Sequence, residues 1–215
     1  MKESVEARNA ARLVPKTSSL AEVREAAMGC KACPLWRTGT QTVFGKGKPT
    51  ARIILIGEQP GNEEDVKGEP FVGPAGKLLD KALIEVGIDR SEVYVTNAVK
   101  HFKWEPRGKR RIHKRPNSRE IAACRPWLDA ELAILRPEVL VCLGATAAQA
   151  LLGRDFKVTQ RRGEFINSSL ASHVMATVHP SSILRAPDEE TRRTETARFI
   201  DDLKKVAGVV HARFV

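Results

Sequence analysis

The chain has 215 residues, of which 42% are apolar and 29% charged, an ordinary globular balance that excludes wholesale disorder. At this length folding buries roughly 70% of the extended chain's surface, so the core needs neither disulfides nor a second subunit. Lysine and arginine exceed aspartate and glutamate by 36 − 26 = 10, and no apolar run approaches the roughly 20 residues of a membrane span.

Residues 1–19 carry charges of both signs and no apolar stretch. They read as a flexible segment without a secretory signal, and a cytoplasmic protein is expected. Residues 20–215 read as a single domain. Ser19-Leu20-Ala21-Glu22 has the form of a capping box opening a short helix toward Met28. The run Arg52-Ile53-Ile54-Leu55-Ile56-Gly57 is continuously apolar, as in a buried parallel strand. A loop rich in glycine and proline follows, from Pro60 to Pro74. It lacks the G-x-G-x-x-G and Gly-Lys-Ser/Thr patterns of dinucleotide and triphosphate sites.

A helix is predicted over 75–86, with Leu78, Leu79, Ala82, Leu83 and Val86 on one face. A second strand covers 93–96 and ends at Asn97. A helix begins near Asn117, with Glu120 three residues on, and runs to about Leu135. A third strand over 139–143 closes at Gly144 and leads into a small-residue helix over 145–152. After a weaker β-like stretch over 156–166, a fourth strand over 174–178 ends at His179, and a charged amphipathic helix over 189–206 completes the chain. Strands alternating with helices imply βαβ units: a three-layer α/β/α fold with a mostly parallel four-stranded core sheet.

The charge is concentrated. Lys100, Lys103, Arg107, Lys109, Arg110, Arg111, Lys114, Arg115 and Arg119 stand against Glu105 alone, leaving about +2 for the rest of the chain. His101, Phe102, Trp104 and His113 are interleaved among them. A basic segment with aromatics, tethered within a folded domain, suits a polyanion with stackable bases.

Ligands of open α/β sheets bind at the carboxyl ends of the strands. If the four strands are parallel, Glu58, Gln59, Asn97 and His179 converge on one rim, beside which the basic segment leaves. A carboxylate, an amide and an imidazole around a pocket fit a planar hydrogen-bonding ligand such as a nucleobase, and Asn97 offers the donor and acceptor that an imide edge needs.

The four cysteines, Cys30, Cys33, Cys124 and Cys142, are the chain's whole complement. The Cys30-Lys31-Ala32-Cys33 pair opens three readings: an iron–sulfur cluster on four thiolates, a zinc site, or a redox pair with two buried structural cysteines. Cys142, inside an apolar strand, is the weakest candidate ligand.

These residues resemble the uracil-DNA glycosylase superfamily, in its iron–sulfur branch, and most closely the subgroup called UdgX. The resemblance rests on the C-x-x-C, Gly57-Glu58-Gln59-Pro60-Gly61, Phe71, Asn97, Lys109-Arg110-Arg111-Ile112-His113 and His179-Pro180-Ser181-Ser182, and it spans residues 30–198. The Lys-Arg-Arg-Ile-His element is its most specific part. Asn62 stands where close relatives are expected to carry an acid, so that position receives no role.

The resemblance implies a structural [4Fe–4S] cluster on Cys30, Cys33, Cys124 and Cys142. It also implies a uridine extruded from DNA into the pocket, with Phe71 stacking on uracil, Asn97 reading its imide edge and Gln59 helping to close the site. His179 donates to the oxygen that gains charge as the glycosidic bond breaks. His113, oriented by Glu58, then attacks C1′ in place of water and leaves the protein covalently joined to the strand; neighbouring cations keep its ring neutral and a lone pair available. Lys109, Arg110, Arg111, Ser181, Ser182 and Arg185 are the expected DNA contacts, with Ile183, Leu184 or Arg185 wedging into the emptied stack. The implied partner is uracil-containing DNA, with single strands accepted, and free uracil is the product. No membrane partner and a monomer are expected. The rival readings are a multiple-turnover glycosylase of the same fold and a non-catalytic nucleic-acid-binding iron–sulfur protein.

Overall fold

A computed structural model describes residues 9–212. Of the segment expected to be flexible, residues 1–8 lie outside the described residues. The remainder contains a 3-10 turn, Ala10–Arg12, whose Ala10 is buried in the core. Helix α1 (Leu20–Met28) starts at Ser19, whose hydroxyl accepts the Glu22 N–H.

Strand β1 (Ile53–Gly57) is followed by α2 (Asn62–Lys67) and α3 (Pro74–Glu85). Strand β2 (Val93–Asn97) leads into a hairpin of β3 (Trp104–Arg107) and β4 (Arg110–His113). Then come α4 (Ser118–Leu135), β5 (Val139–Leu143), α5 (Ala145–Leu152), α6 (Val158–Arg161), β6 (Phe165–Ile166), β7 (His173–Thr177), α7 (Pro180–Leu184) and α8 (Glu189–His211). The helix expected from near Asn117 opens on a capping box: the Asn117 side chain accepts the Glu120 N–H, and Glu120 accepts the Asn117 N–H.

The sheet runs β2-β1-β5-β7-β6, with the first four strands parallel and β6 antiparallel at the edge. The expected four-stranded parallel core is present, extended to five strands by a two-residue edge. The β-like stretch over 156–166 divides into a helical turn and that edge strand. Alternate side chains serve opposite layers. Ile54, Ile56, Leu140, Cys142, Val174 and Ala176 face one core, which holds α1, α4 and α5. Ile53, Leu55, Val139, Val141 and Met175 face the other, which holds α3 and α8. No helix among the described residues is long and apolar enough to cross a membrane.

One buried ion pair braces the β2 edge. Lys100 Nζ donates to Glu131 of α4 at 2.5 Å, to Thr96 Oγ1 at 2.6 Å and to the Asn97 carbonyl at 2.9 Å. Glu131 also accepts from the Tyr94 hydroxyl at 2.8 Å and the Gly45 N–H at 3.1 Å. Three acceptors satisfy the ammonium's three N–H groups, which is what allows a cation to sit at 1% side-chain exposure. The turn leaving β2 is thereby held by its own backbone.

Candidate active site

The parallel strands bring their carboxyl ends to one rim, where Gly57, Phe71, Asn97 and His179 come together. Asn97, last in β2, pairs in register with Gly57, last in β1. A Cβ at Gly57 would lie 2.4 Å from Asn97 Oδ1 and 2.8 Å from Phe71 Cζ, so the amide and the aromatic ring approach each other only across a glycine. Phe71 itself has φ of 57°, in the left-handed region. Its carbonyl lies where a Cβ on Gly76 would stand, at 1.8 Å. This close fit against α3 holds the backbone turn that aims the ring at the pocket. Asn97 is buried, and its side-chain amide has no hydrogen-bond partner among the described residues.

His179 caps α7, not the strand. Its Nδ1 accepts the Ser181 N–H at 3.1 Å and lies 2.8 Å from the Ser181 hydroxyl. With Nδ1 an acceptor, the neutral ring carries its proton on Nε2. Burial holds the imidazole down to about 4, and Arg185 and His113 push the same way against the pull of Glu58. His179 is therefore a neutral donor at physiological pH. Its ring stacks on Phe71, with centroids 6.0 Å apart.

Glu58 lies one residue past β1. Its Oε1 is 3.3 Å from His113 Nε2, and its Oε2 accepts the Thr146 hydroxyl. Burial opposes ionisation of Glu58, but the hydrogen bonds from His113 and Thr146 and the imidazoles of His113 and His179 outweigh it, leaving the carboxyl below its ordinary value. Thr146, at the start of α5, was not singled out by the sequence. Its signal is position alone, directly after a strand that ends at the pocket rim.

His113 ends β4, paired with Trp104, and its half-exposed ring tilts toward Phe102. The hairpin that carries it is fastened at both feet by Gln59. The amide accepts the Lys103 N–H at 3.0 Å and donates to the carbonyls of Lys103 and Lys114 at 3.1 Å each. Gln59 was expected to line the substrate; here every polar atom of its side chain serves the hairpin. Arg111 was expected on a phosphate. Its guanidinium instead reaches Asp65 Oδ2 at 2.6 Å and Asn62 Oδ1 at 2.7 Å, and packs over the rings of Phe102 and Trp104. A fully buried carboxylate takes the cation because it has no water to replace it.

The basic segment is thus partly neutralised from within. Lys103 pairs with Glu120, Lys114 with Glu105 and Lys100 with Glu131. Lys109 and Arg110, at the tip of the hairpin, keep their charge toward solvent, as does Arg185 at the end of α7. Ser182 donates its hydroxyl to the His179 carbonyl at 2.7 Å. Ile183 is 1% exposed and is excluded as a wedge into DNA, whereas Leu184 is 37% exposed.

Three of the four cysteines form a group, and each sulfur has an N–H donor: Trp127 Nε1 on Cys30 and the Lys100 N–H on Cys124, both at 3.2 Å, and the Leu35 N–H on Cys33. Burial raises the thiols of Cys33 and Cys124, the latter to about 12; Cys30 pushes Cys33 further up, and Cys33 and Cys30 do the same to Cys124. Cys142 belongs to the same apolar core. It is buried in β5, burial pushes it up to about 12, and the charge that bears on it is that of Arg125. His101 lies with the three: its Nε2 is 3.0 Å from Thr42 Oγ1, which donates to the same Ala27 carbonyl that accepts the Cys30 N–H. Among the described residues no three His, Cys, Asp or Glu side chains close on a single metal ion.

Residues 44–204 match the sequence model of the family described as the uracil DNA glycosylase superfamily. The chain belongs to that superfamily. It is 39% identical over 189 residues to a Type-4 uracil-DNA glycosylase of Thermotoga maritima, covering 87% of this chain and 93% of the relative. It is 36% identical over 183 residues to a Type-4 uracil-DNA glycosylase of Archaeoglobus fulgidus, covering 79% and 85%. A Type-5 uracil-DNA glycosylase of Thermus thermophilus is 31% identical over 232 residues, covering 95% and 97%. The pocket wall of Gly57, Phe71, Asn97 and His179 and the hairpin residue His113 all fall within the matched span.

Proposed function

We propose that the protein excises uracil from DNA and, as in the UdgX subgroup, joins itself through His113 to the C1′ it has exposed. Base excision is supported by the family, by relatives named for that activity, and by a buried, unpartnered Asn97 amide facing a Phe71 ring. The capture rests on one observation: the His113 ring, carried on a hairpin strapped by Gln59 and Arg111, meets an ionised Glu58 at the pocket rim.

The chemistry follows from the arrangement. Uracil flipped against Phe71 offers its imide edge to Asn97. As the N1–C1′ bond breaks, its electron pair leaves with uracil, and the neutral Nε2–H of His179 donates to the oxygen on which the charge collects. The sugar becomes electron-poor at C1′. A neutral imidazole has one N–H and one lone pair, and the lone pair of His113 forms the new bond. Glu58 stabilises the positive charge the ring then gains, until its remaining ring proton passes to solvent. Holding the ring in place supplies several kcal/mol of the advantage over water.

The cysteine group fits an iron–sulfur cluster better than zinc. One ion needs its donors within about 2.3 Å of a single point, and among the described residues no three such side chains close on one, whereas a multi-iron cluster spreads its thiolate ligands apart and draws N–H donors to sulfur. Cys30, Cys33 and Cys124 would hold such a [4Fe–4S] cluster. The fourth ligand is assigned to His101, buried beside Thr42, in preference to the Cys142 that the resemblance implies. When bound, the cluster ties the segment after α1 to α4 and to the turn below Asn97.

The test is intact-mass spectrometry after incubation with a uracil-containing oligonucleotide. The expected product is the protein plus the strand less one uracil. Unmodified protein beside free uracil would leave a recycling glycosylase. No released uracil would remove the excision reading itself.

A further inference from the structure

A groove of about 710 Å³ opens between the N-terminal half of α4 and α5. Its lining contains Arg115, Arg125 and Arg154 and no carboxylate, over apolar side chains that include Ile121 and Leu151. We infer that this groove holds the DNA strand flanking the target uridine on one side. The inference rests on the proposed action on DNA and adds where the rest of the substrate lies.

Two observations point to that occupant. The first is continuity with the site. Thr146 lines the groove and donates its hydroxyl to Glu58, which meets His113 at 3.3 Å. The hairpin's exit strand leads into the groove at Arg115 and Pro116. A strand whose uridine is in the pocket therefore finds this concavity directly beside the reacting sugar.

The second is charge. Arg125 is spent on Asp129 and on the Ala150 carbonyl. Arg115 is exposed and contacts the neutral Gln149 amide at 3.0 Å, so its charge is uncompensated. Arg154 is exposed and makes no hydrogen bond or ion pair among the described residues. Two free guanidinium groups over an apolar floor match an unpaired strand, which presents phosphates along one edge and base and sugar faces along the other. Four other cations of the basic segment are held by carboxylates, whereas Arg115 at this rim is not.

The test measures equilibrium binding of labelled oligonucleotides carrying 2′-fluoro-deoxyuridine, whose glycosidic bond resists cleavage, with flanks extended on the 5′ or the 3′ side alone. Affinity of the unaltered protein is expected to rise with length on one side only. In the double variant Arg115→Ala, Arg154→Ala that length dependence disappears, and the slope of log affinity against log salt becomes shallower by about 1.4, from about 0.7 per phosphate on a single strand. A charge-matched double variant on the opposite face of the sheet, Lys81→Ala, Arg193→Ala, keeps both the length dependence and the slope. Equal changes in the two double variants, or none in either, overturn the groove assignment. Binding is read without turnover, so failure of the inference is separate from absence of uracil release by the unaltered protein, which sinks the excision reading instead.

Discussion

The guanidinium of Arg111 lies 2.6 Å from the carboxylate of Asp65, a side chain with no exposure to solvent. Arg111 belongs to the segment whose charge points to DNA, yet its position is set by a buried acid on α2, 46 residues away in sequence. The same Asp65 accepts the Thr40 N–H and hydroxyl, so one carboxylate joins the hairpin, α2 and the segment that follows the cysteine pair.

Arg111→Ala is expected to destabilise the fold by about 3 kcal/mol, because it strands a buried charge. Adduct yield should fall with it as the hairpin loosens, while the salt dependence of DNA binding stays unchanged. Urea unfolding and salt titration check both. Unaltered stability with a shallower salt slope would return Arg111 to the phosphate contacts expected from the sequence.

His113→Ser removes the nucleophile and leaves the Phe71, Asn97 and His179 pocket intact. Uracil release should persist, the protein-sized shift on a denaturing gel should vanish, and repeated turnover should appear as water takes the vacant position. Glu58→Gln keeps the ring's neighbour but loses the charge, and the capture step should slow by about a hundredfold. Cross-linking that survives in His113→Ser would assign the bond to another residue.

Burial holds His179 down to about 4 in the folded chain, against 6.5 for an ordinary imidazole. Between those two values the unfolded chain binds protons that the folded chain refuses, so stability is complete above about pH 6.5 and is lost as pH falls toward 4. The melting temperature should drop across that window, and by less in His179→Gln. The acid limb of uracil release, measured in single turnover, should follow His179 and lie near pH 4. A limb at pH 6.5 would contradict a neutral His179.

Substitution of Cys30, Cys33, Cys124 or His101 by alanine is expected to abolish iron and the visible absorbance of the purified protein, whereas Cys142→Ala should retain both. Iron assay and absorbance decide it. Loss of iron in Cys142→Ala with retention in His101→Ala would restore Cys142 as the fourth ligand.

The core strands and long helices were legible because their signals are local. Ile53 to Ile56 form an unbroken apolar run, α3 repeats its apolar residues at helical spacing, and Asn117 with Glu120 caps α4. The hairpin carrying His113 had no such signal. Its strands are exposed, charged and interrupted by Pro106, and they pair only with each other. Helix α2 was hidden in a glycine-rich loop for a similar reason: its acids are fixed by distant partners, Asp65 by Arg111 and Glu64 by the Gly73 N–H.

Residue order alone determined the parallel α/β sheet, and with it the meeting of Glu58, Asn97 and His179, since apolar periodicity and strand direction carry each strand's end to a common rim. It also determined the excess of positive charge and the supply of thiols. Only the tertiary structure decided which cations are held by carboxylates and that the Gln59 side chain fastens the hairpin. Those outcomes depend on which buried polar group finds a partner across tens of residues, and desolvation, which enforces that pairing, acts only once the chain has closed around it.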